Sequence, residues 1–117
     1  MLAKINRLSK EKEFARLLKL GKTYFSNCLI IKVYPNNLNN SRFGFIISKK
    51  IAKKAVIRNK IKRRLREIIR KDLKILKDGY DVAIITKKEA NLPKMNFQQL
   101  KEGVNNLEKK ANLFKNS

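Results

Sequence analysis

The sequence predicts a single-domain α+β fold, an α/β sandwich in the order α-β-β-α-β-α with helices against a mixed sheet, and three observations predict it. Residues 48–77 combine an apolar series at helical spacing with a dense cationic face. The stretches 27–34, 42–48 and 80–86 are rich in β-branched and aromatic residues and read as strands. Helical periodicity returns over 9–20 and 96–114. A chain of 117 residues suffices for one core and is short for two, so one domain is expected over 1–117, with 1–8 as an arm.

The first helix is expected from Ser9, as N-cap, to about Leu20. Glu11 and Glu13 suit its positive end, and Phe14, Leu17 and Leu18 share a face. Gly21 closes it as a C-cap glycine would. Asn27 to Tyr34 is the first strand, with Cys28 beside Leu29 and Ile30 as a buried thiol. The polar turn at 35–41 leads to Arg42–Ser48. So short a connection predicts that these two strands form an antiparallel hairpin. In the second, Phe43, Phe45 and Ile47 face one way and Gly44, Ile46 and Ser48 the other.

Residues 49–54 read as a lysine-rich loop. The basic helix begins between Ala55 and Arg58 and ends before Gly79, burying Ile57, Ile61, Leu65, Ile68, Ile69, Leu73, Ile75 and Leu76. Asp72 falls inside that apolar arc. After the strand Tyr80–Thr86, Asn91 and Pro93 break the chain. Asn96 then caps a last helix, with Gln99 at the capping-box position and a staple of Met95 on Leu100. Phe97, Leu100, Val104, Leu107, Ala111 and Phe114 form its apolar stripe.

Charge narrows the function. The net charge is +21 with no histidine, and between Lys49 and Lys77 fourteen basic side chains face only Glu67 and Asp72. Intrahelical pairs cannot neutralise such a face, so a polyanion is implied, nucleic acid before a membrane surface. The longest aliphatic run, Leu29–Ile31, is far short of the roughly 18 residues a spanning helix needs. The N-terminal residues lack the apolar core of a secretory signal, and one cysteine cannot form an internal disulfide. A cytoplasmic protein is expected.

Protein-borne catalysis is not expected. The commonest general base is missing, Cys28 has no evident partner base, and Asp78 and Asp81 flank Gly79 as turn residues do. Arg58 and Asn59 bring a guanidinium fork and a carboxamide to the helix entrance, where phosphate or sugar oxygens are readily held. Among the aromatics, Phe14, Tyr24, Phe25, Tyr34, Phe43 and Phe45 divide between core and possible base stacking.

The pattern R-x-G-x-x-x-S-K-K at Arg42, Gly44, Ser48, Lys49 and Lys50, followed by K-A-V-x-R-N-K-x-K-R-x-x-R-E over 54–67, resembles the signature of the bacterial ribonuclease P protein subunit. Arg7-Leu8, Phe14 and Gly21 also match that family's first helix. The resemblance implies an RNA-binding subunit that works with a catalytic RNA to remove the 5′ leader of precursor tRNA. The RNA supplies the Mg2+-dependent chemistry, the protein binds no cofactor tightly, and no obligate protein partner is implied.

It further implies RNA contact by Lys49, Lys50, Lys53, Lys54, Arg58, Asn59, Lys60, Lys62, Arg63, Arg66 and Arg70. A leader cleft between the first helix and the sheet would involve Phe14, Leu18, Lys32 and Arg42, on a surface separate from the basic helix. Lys60 stands where many relatives have arginine, and Leu18 and Lys32 where some have aromatics. The family fold, shared with a ribosomal protein domain, has a left-handed βαβ crossover, against the right-handed form general in roughly 98% of cases. A structural RNA binder such as a small ribosomal protein shares this size and charge. A DNA-binding module would need a helix-turn-helix pair that is not recognisable here.

Overall fold

The computed structural model describes residues 2–26, 29–48, 54–86 and 96–115. Lys49, Lys50, Lys53, Cys28, Asn91, Pro93 and Met95, all named above, lie outside them. The elements are α1 (Glu11–Leu20), β1 (Lys22–Phe25), β2 (Leu29–Pro35), β3 (Arg42–Ile46), α2 (Ala55–Asp72), β4 (Tyr80–Thr86) and α3 (Phe97–Lys110). A short 3-10 turn at Lys4–Asn6 precedes them.

The sheet runs β1-β2-β4-β3. This corrects the expected hairpin of 27–34 with 42–48, because β4 lies between those strands. β2 and β4 are the strands with the longest aliphatic content, so they take the centre, where both faces can be covered. β3 carries Arg42 and Gly44 and goes outside, parallel to β4, with Phe43 opposite Val82. Residues 36–41 then need only step over one strand, about 10 Å, which a link of that length spans. The hairpin partner of β2 is β1, antiparallel, with Lys22 opposite Val33. That strand was hidden by Lys22 and Thr23, which lack the apolar run seen in the others.

Parallel pairing of β3 with β4 demands a crossover, and α2 supplies it. Ile61, Leu65, Ile68 and Ile69 of α2 are buried in a cluster with Ile31, Phe43, Val82 and Ile84 of the sheet and Leu100, Val104 and Leu107 of α3. Burial of each such side chain stabilises the fold by about 1.5–3 kcal/mol. The opposite sheet face carries a smaller cluster, Leu8, Leu17 and Ala83, with Phe14, Tyr34 and Ile85 at its margin. Alternation along the strands thus separates an α2/α3 face from an α1 face.

Four local expectations change. Lys10, not Ser9, is the N-cap of α1, and its backbone N–H donates to Glu13 Oε1 at 3.3 Å. Gly21 ends α1 in an extended conformation, φ −70°, and its requirement is space: a Cβ there would stand 2.5 Å from the Leu17 carbonyl oxygen. α2 ends at Asp72 and α3 at Lys110, so Leu76 and Phe114 leave their helices and meet in an antiparallel bridge, with Ile75 51% exposed. The arm is built into the core: Leu2 is buried, and Leu8 N–H donates to the Phe43 carbonyl at 2.9 Å along the β3 edge. The Asn96–Gln99 capping box forms as read, with Gln99 N–H donating to Asn96 Oδ1 at 2.8 Å.

Asp72 also finds its explanation. It lies buried against Asn105 and Glu108 of α3, so the polar residue in the α2 stripe meets a polar patch on its neighbour.

Candidate nucleic-acid interface

The apolar stripe of α2 fixes which residues point outward. With Ile57, Ile61, Leu65 and Ile68 turned to the sheet, Asn59, Arg63, Arg66 and Arg70 stand one above another on the exposed side. Asn59, Arg63, Arg66 and Glu67 line a shallow depression there. Among the described residues, Lys60, Lys62, Arg63 and Arg66 have no acidic partner. Arg70 differs: its guanidinium forms a two-pronged pair with Glu67, with Nε 3.0 Å from Oε2, and the hydrogen bond to Arg70 lowers the Glu67 pKa. Lys54 caps the helix start and is exposed. Lys49, Lys50 and Lys53 fall outside the described residues.

The positions expected in a leader cleft separate. Phe14 leans from α1 onto β3, where Gly44 makes room; a Cβ on that glycine would lie 2.2 Å from Phe14 Cζ. Beside them a cavity of about 230 Å³ opens at the β3 edge, lined by Leu2, Arg7, Leu8, Ser9, Phe14, Phe43, Gly44, Phe45, Lys62 and Arg66. It corrects the expectation of two unconnected surfaces, because Phe14 and the basic helix share one hollow. The reason is topological: β3 is the edge strand, so the α1 face and the α2 face meet around it.

Leu18 and Lys32 lie away from that hollow. Lys32 Nζ donates to the Leu18 carbonyl at 2.7 Å, tying β2 to α1. Arg42 is committed to structure. Its Nε and Nη2 donate to Asp81 Oδ1 and Oδ2, each at 2.8 Å, and its Nη1 pairs with Glu13. The hydrogen bonds to Asp81 raise the Arg42 pKa above its ordinary value, and Arg16 adds a further contact to Asp81 at 3.5 Å.

Two lining residues were not among the expected site positions. Arg7 reads in the sequence as part of an arm that matches the family's first helix, and in the structure its Nε donates to the Leu2 carbonyl at 2.9 Å and its backbone bridges to Phe43. Phe45 was one aromatic among several, and only the edge position of β3 opens it to the cavity. Among the described residues no group of three or more acidic, cysteine or histidine side chains is placed to hold a metal ion, and no helix is long and apolar enough to cross a membrane.

Comparison with known proteins bears on the same surfaces. The family model described as Ribonuclease P matches residues 2–112. A ribonuclease P protein component from Fusobacterium nucleatum is 39% identical over 115 residues, covering 97% of both chains. One from Clostridium kluyveri is 37% identical, covering 95% of this chain and 98% of its own. Among solved structures, the Staphylococcus aureus RNase P protein superposes with a TM-score of 0.84 at 27% identity, covering 93% of this chain and 97% of its own. That from Thermotoga maritima gives 0.81 at 29%, covering 89% and 96%. Sequence likeness along nearly the whole length and a shared backbone agree, and the chain belongs to the ribonuclease P protein family.

Proposed function

We propose that this protein is the RNA-binding subunit of ribonuclease P, acting with a catalytic RNA in the cytoplasm to remove the 5′ leader of precursor tRNA. Asn59, Lys60, Lys62, Arg63 and Arg66, with Arg58 and Lys54 at the helix entrance, hold the catalytic RNA through its phosphates. Lys49, Lys50 and Lys53 belong to the same basic segment by sequence. The hollow at the β3 edge takes the unpaired leader. The observation that supports this best is the meeting of Phe14 and Phe45 with Arg7, Lys62 and Arg66 in one cavity, which suits a base stacked on a ring and its phosphate among cations.

Hydrolysis belongs to Mg2+ ions held by the RNA; the protein's part is to add positive charge and to orient the substrate. Leu18, Lys32 and Arg42 support the leader site indirectly, by fixing α1 on the sheet.

The test is cleavage of precursor tRNA by a bacterial ribonuclease P RNA at low magnesium. Adding the protein should increase correct leader removal, and no gain would sink the proposal. Phe14→Leu keeps an apolar side chain in place but removes the stacking ring. It should weaken precursor tRNA binding by roughly fivefold or more while leaving mature tRNA unchanged. Equal losses for both would make Phe14 a core residue only.

A further inference from the structure

Two aliphatic side chains that the fold leaves in water stand around one hollow. Ile5 is 67% exposed and Leu38 is 45% exposed, and both line a space of about 290 Å³ where the arm, the turn at 36–41 and the start of α1 meet. Lys4, Arg7, Ser9, Lys10 and Asn40 line it with them, and the Glu13–Arg42 pair borders it.

The backbone that carries the two side chains is tied in place. Leu38 N–H donates to Asn36 Oδ1 at 2.8 Å, and the Asn36 amide is itself anchored on Asp81 Oδ1 at 3.0 Å. Asn37 adopts the left-handed conformation, φ 60°, that asparagine tolerates in turns. The Asn40 amide donates to the Ile5 carbonyl and so joins the arm to the turn. Apolar side chains on a backbone already fixed offer a surface with little left to order on binding.

Charge decides what that surface suits. Glu13 is taken up by Arg42 and does not neutralise the remaining cations. Lys4, Arg7 and Lys10 are exposed and, among the described residues, have no acidic partner. The hollow also adjoins the one at the β3 edge, since Arg7 and Ser9 line both. An apolar shelf beside unpaired cations, continuous with a site for unpaired RNA, fits a further nucleotide of the same strand.

We propose that the leader continues past the β3 hollow, around the start of α1, into this second hollow. There a nucleotide lays its base on Ile5 and Leu38 and its phosphate among Lys4, Arg7 and Lys10. The inference rests on the leader assignment above and extends it to a subsite built from the arm and the turn.

The test uses the holoenzyme reconstituted with a bacterial ribonuclease P RNA, and precursor tRNAs whose leaders lengthen one nucleotide at a time. Single-turnover cleavage against holoenzyme concentration gives the affinity for each. Affinity should rise in two steps. Phe14→Leu should reduce the first, at short leaders. Lys4→Ala with Leu38→Ala, both exposed positions, should leave the first step intact and weaken binding of longer leaders roughly threefold or more. A first step without a second, a second step that survives the double substitution, or an equal loss at every leader length would overturn the extension and leave the leader assignment standing. Affinity independent of leader length, with Phe14→Leu equal to the parent protein, would overturn both. Self-association of the free protein that the double substitution abolishes would make a second copy of the chain the occupant, and would also overturn the extension.

Discussion

Two buried acidic sites in this very basic protein are handled in opposite ways. On the α1 face, the Asp81 side chain is 1% exposed and fully engaged: Arg42 grips both oxygens, Asn36 donates to Oδ1 at 3.0 Å, and Arg16 stands by. Between α2 and α3, Glu108 is equally buried but meets another acid, Asp72, and the amide of Asn105. Asn105, oriented to donate, reaches Asp72 Oδ2 and Glu108 Oε1 at 2.9 Å each. Lys71, beside Asp72 in sequence, keeps its ammonium outside, 5.3 Å from the Phe97 ring centre. Burial, then repulsion from Asp72 and a hydrogen bond that needs a proton, push Glu108 up to about 8. Thirty basic residues do not guarantee a counterion for nine acidic ones. A cation pairs with a buried acid only where its stem can reach inward, and the others remain in water.

The contrast breaks most sharply at Arg42. Arg42→Ala leaves the buried Asp81 with only the Asn36 amide and Arg16, 3.5 Å away, and should lower stability by about 3–5 kcal/mol in urea denaturation. A loss under about 1 kcal/mol would show that Arg16 or water replaces the guanidinium, and the two sites would then differ less than their geometry implies.

Arg42 also marks how far the sequence was legible. Periodicity located α1, α2, α3 and the strand 80–86, because each has a regular apolar spacing that depends on local chain geometry alone. Strand order is a matter of competition between distant segments, and nothing local says that β4 will insert between β2 and β3. The site divided along the same line. The outward stripe of α2 follows from 3.6-residue periodicity, so Asn59, Arg63 and Arg66 could be named in advance. The joining of Phe14 to Lys62 and Arg66 depends on β3 being at the edge, and the pairing of Arg42 with Asp81 on β3 being parallel to β4. Asp72 was visible as an anomaly, but its partners Asn105 and Glu108 are a whole strand and a helix away.

The opposite site is tested by pH. A group whose pKa is raised on folding holds a proton that the unfolded chain has released, so stability falls as pH rises from the ordinary glutamate range, near 4.5, to about 8, and is level beyond. The slope approaches about 1.4 kcal/mol per pH unit at most. Glu108→Gln mimics the protonated acid and should remove that slope while matching the parent protein near pH 5. Thermal or urea denaturation of both proteins between pH 5 and 8.5 measures the difference. Parallel curves would mean that Glu108 folds as a carboxylate with a counterion.

Burial and repulsion can then be separated at Asp72. Burial is the larger cause of the raised Glu108 pKa, so Asp72→Asn should lower it only in part, leaving it above the ordinary glutamate value. The new amide can donate to Glu108, and the net effect on stability near neutral pH should be small, about 1 kcal/mol, the size of one hydrogen bond exchanged. Carbon NMR of the Glu108 carboxyl across the pH range reads this directly. A return to about 4.5 would make Asp72 the whole cause. Glu108 would then resemble Asp81, a buried acid governed by its charged neighbour, rather than one governed by its distance from water.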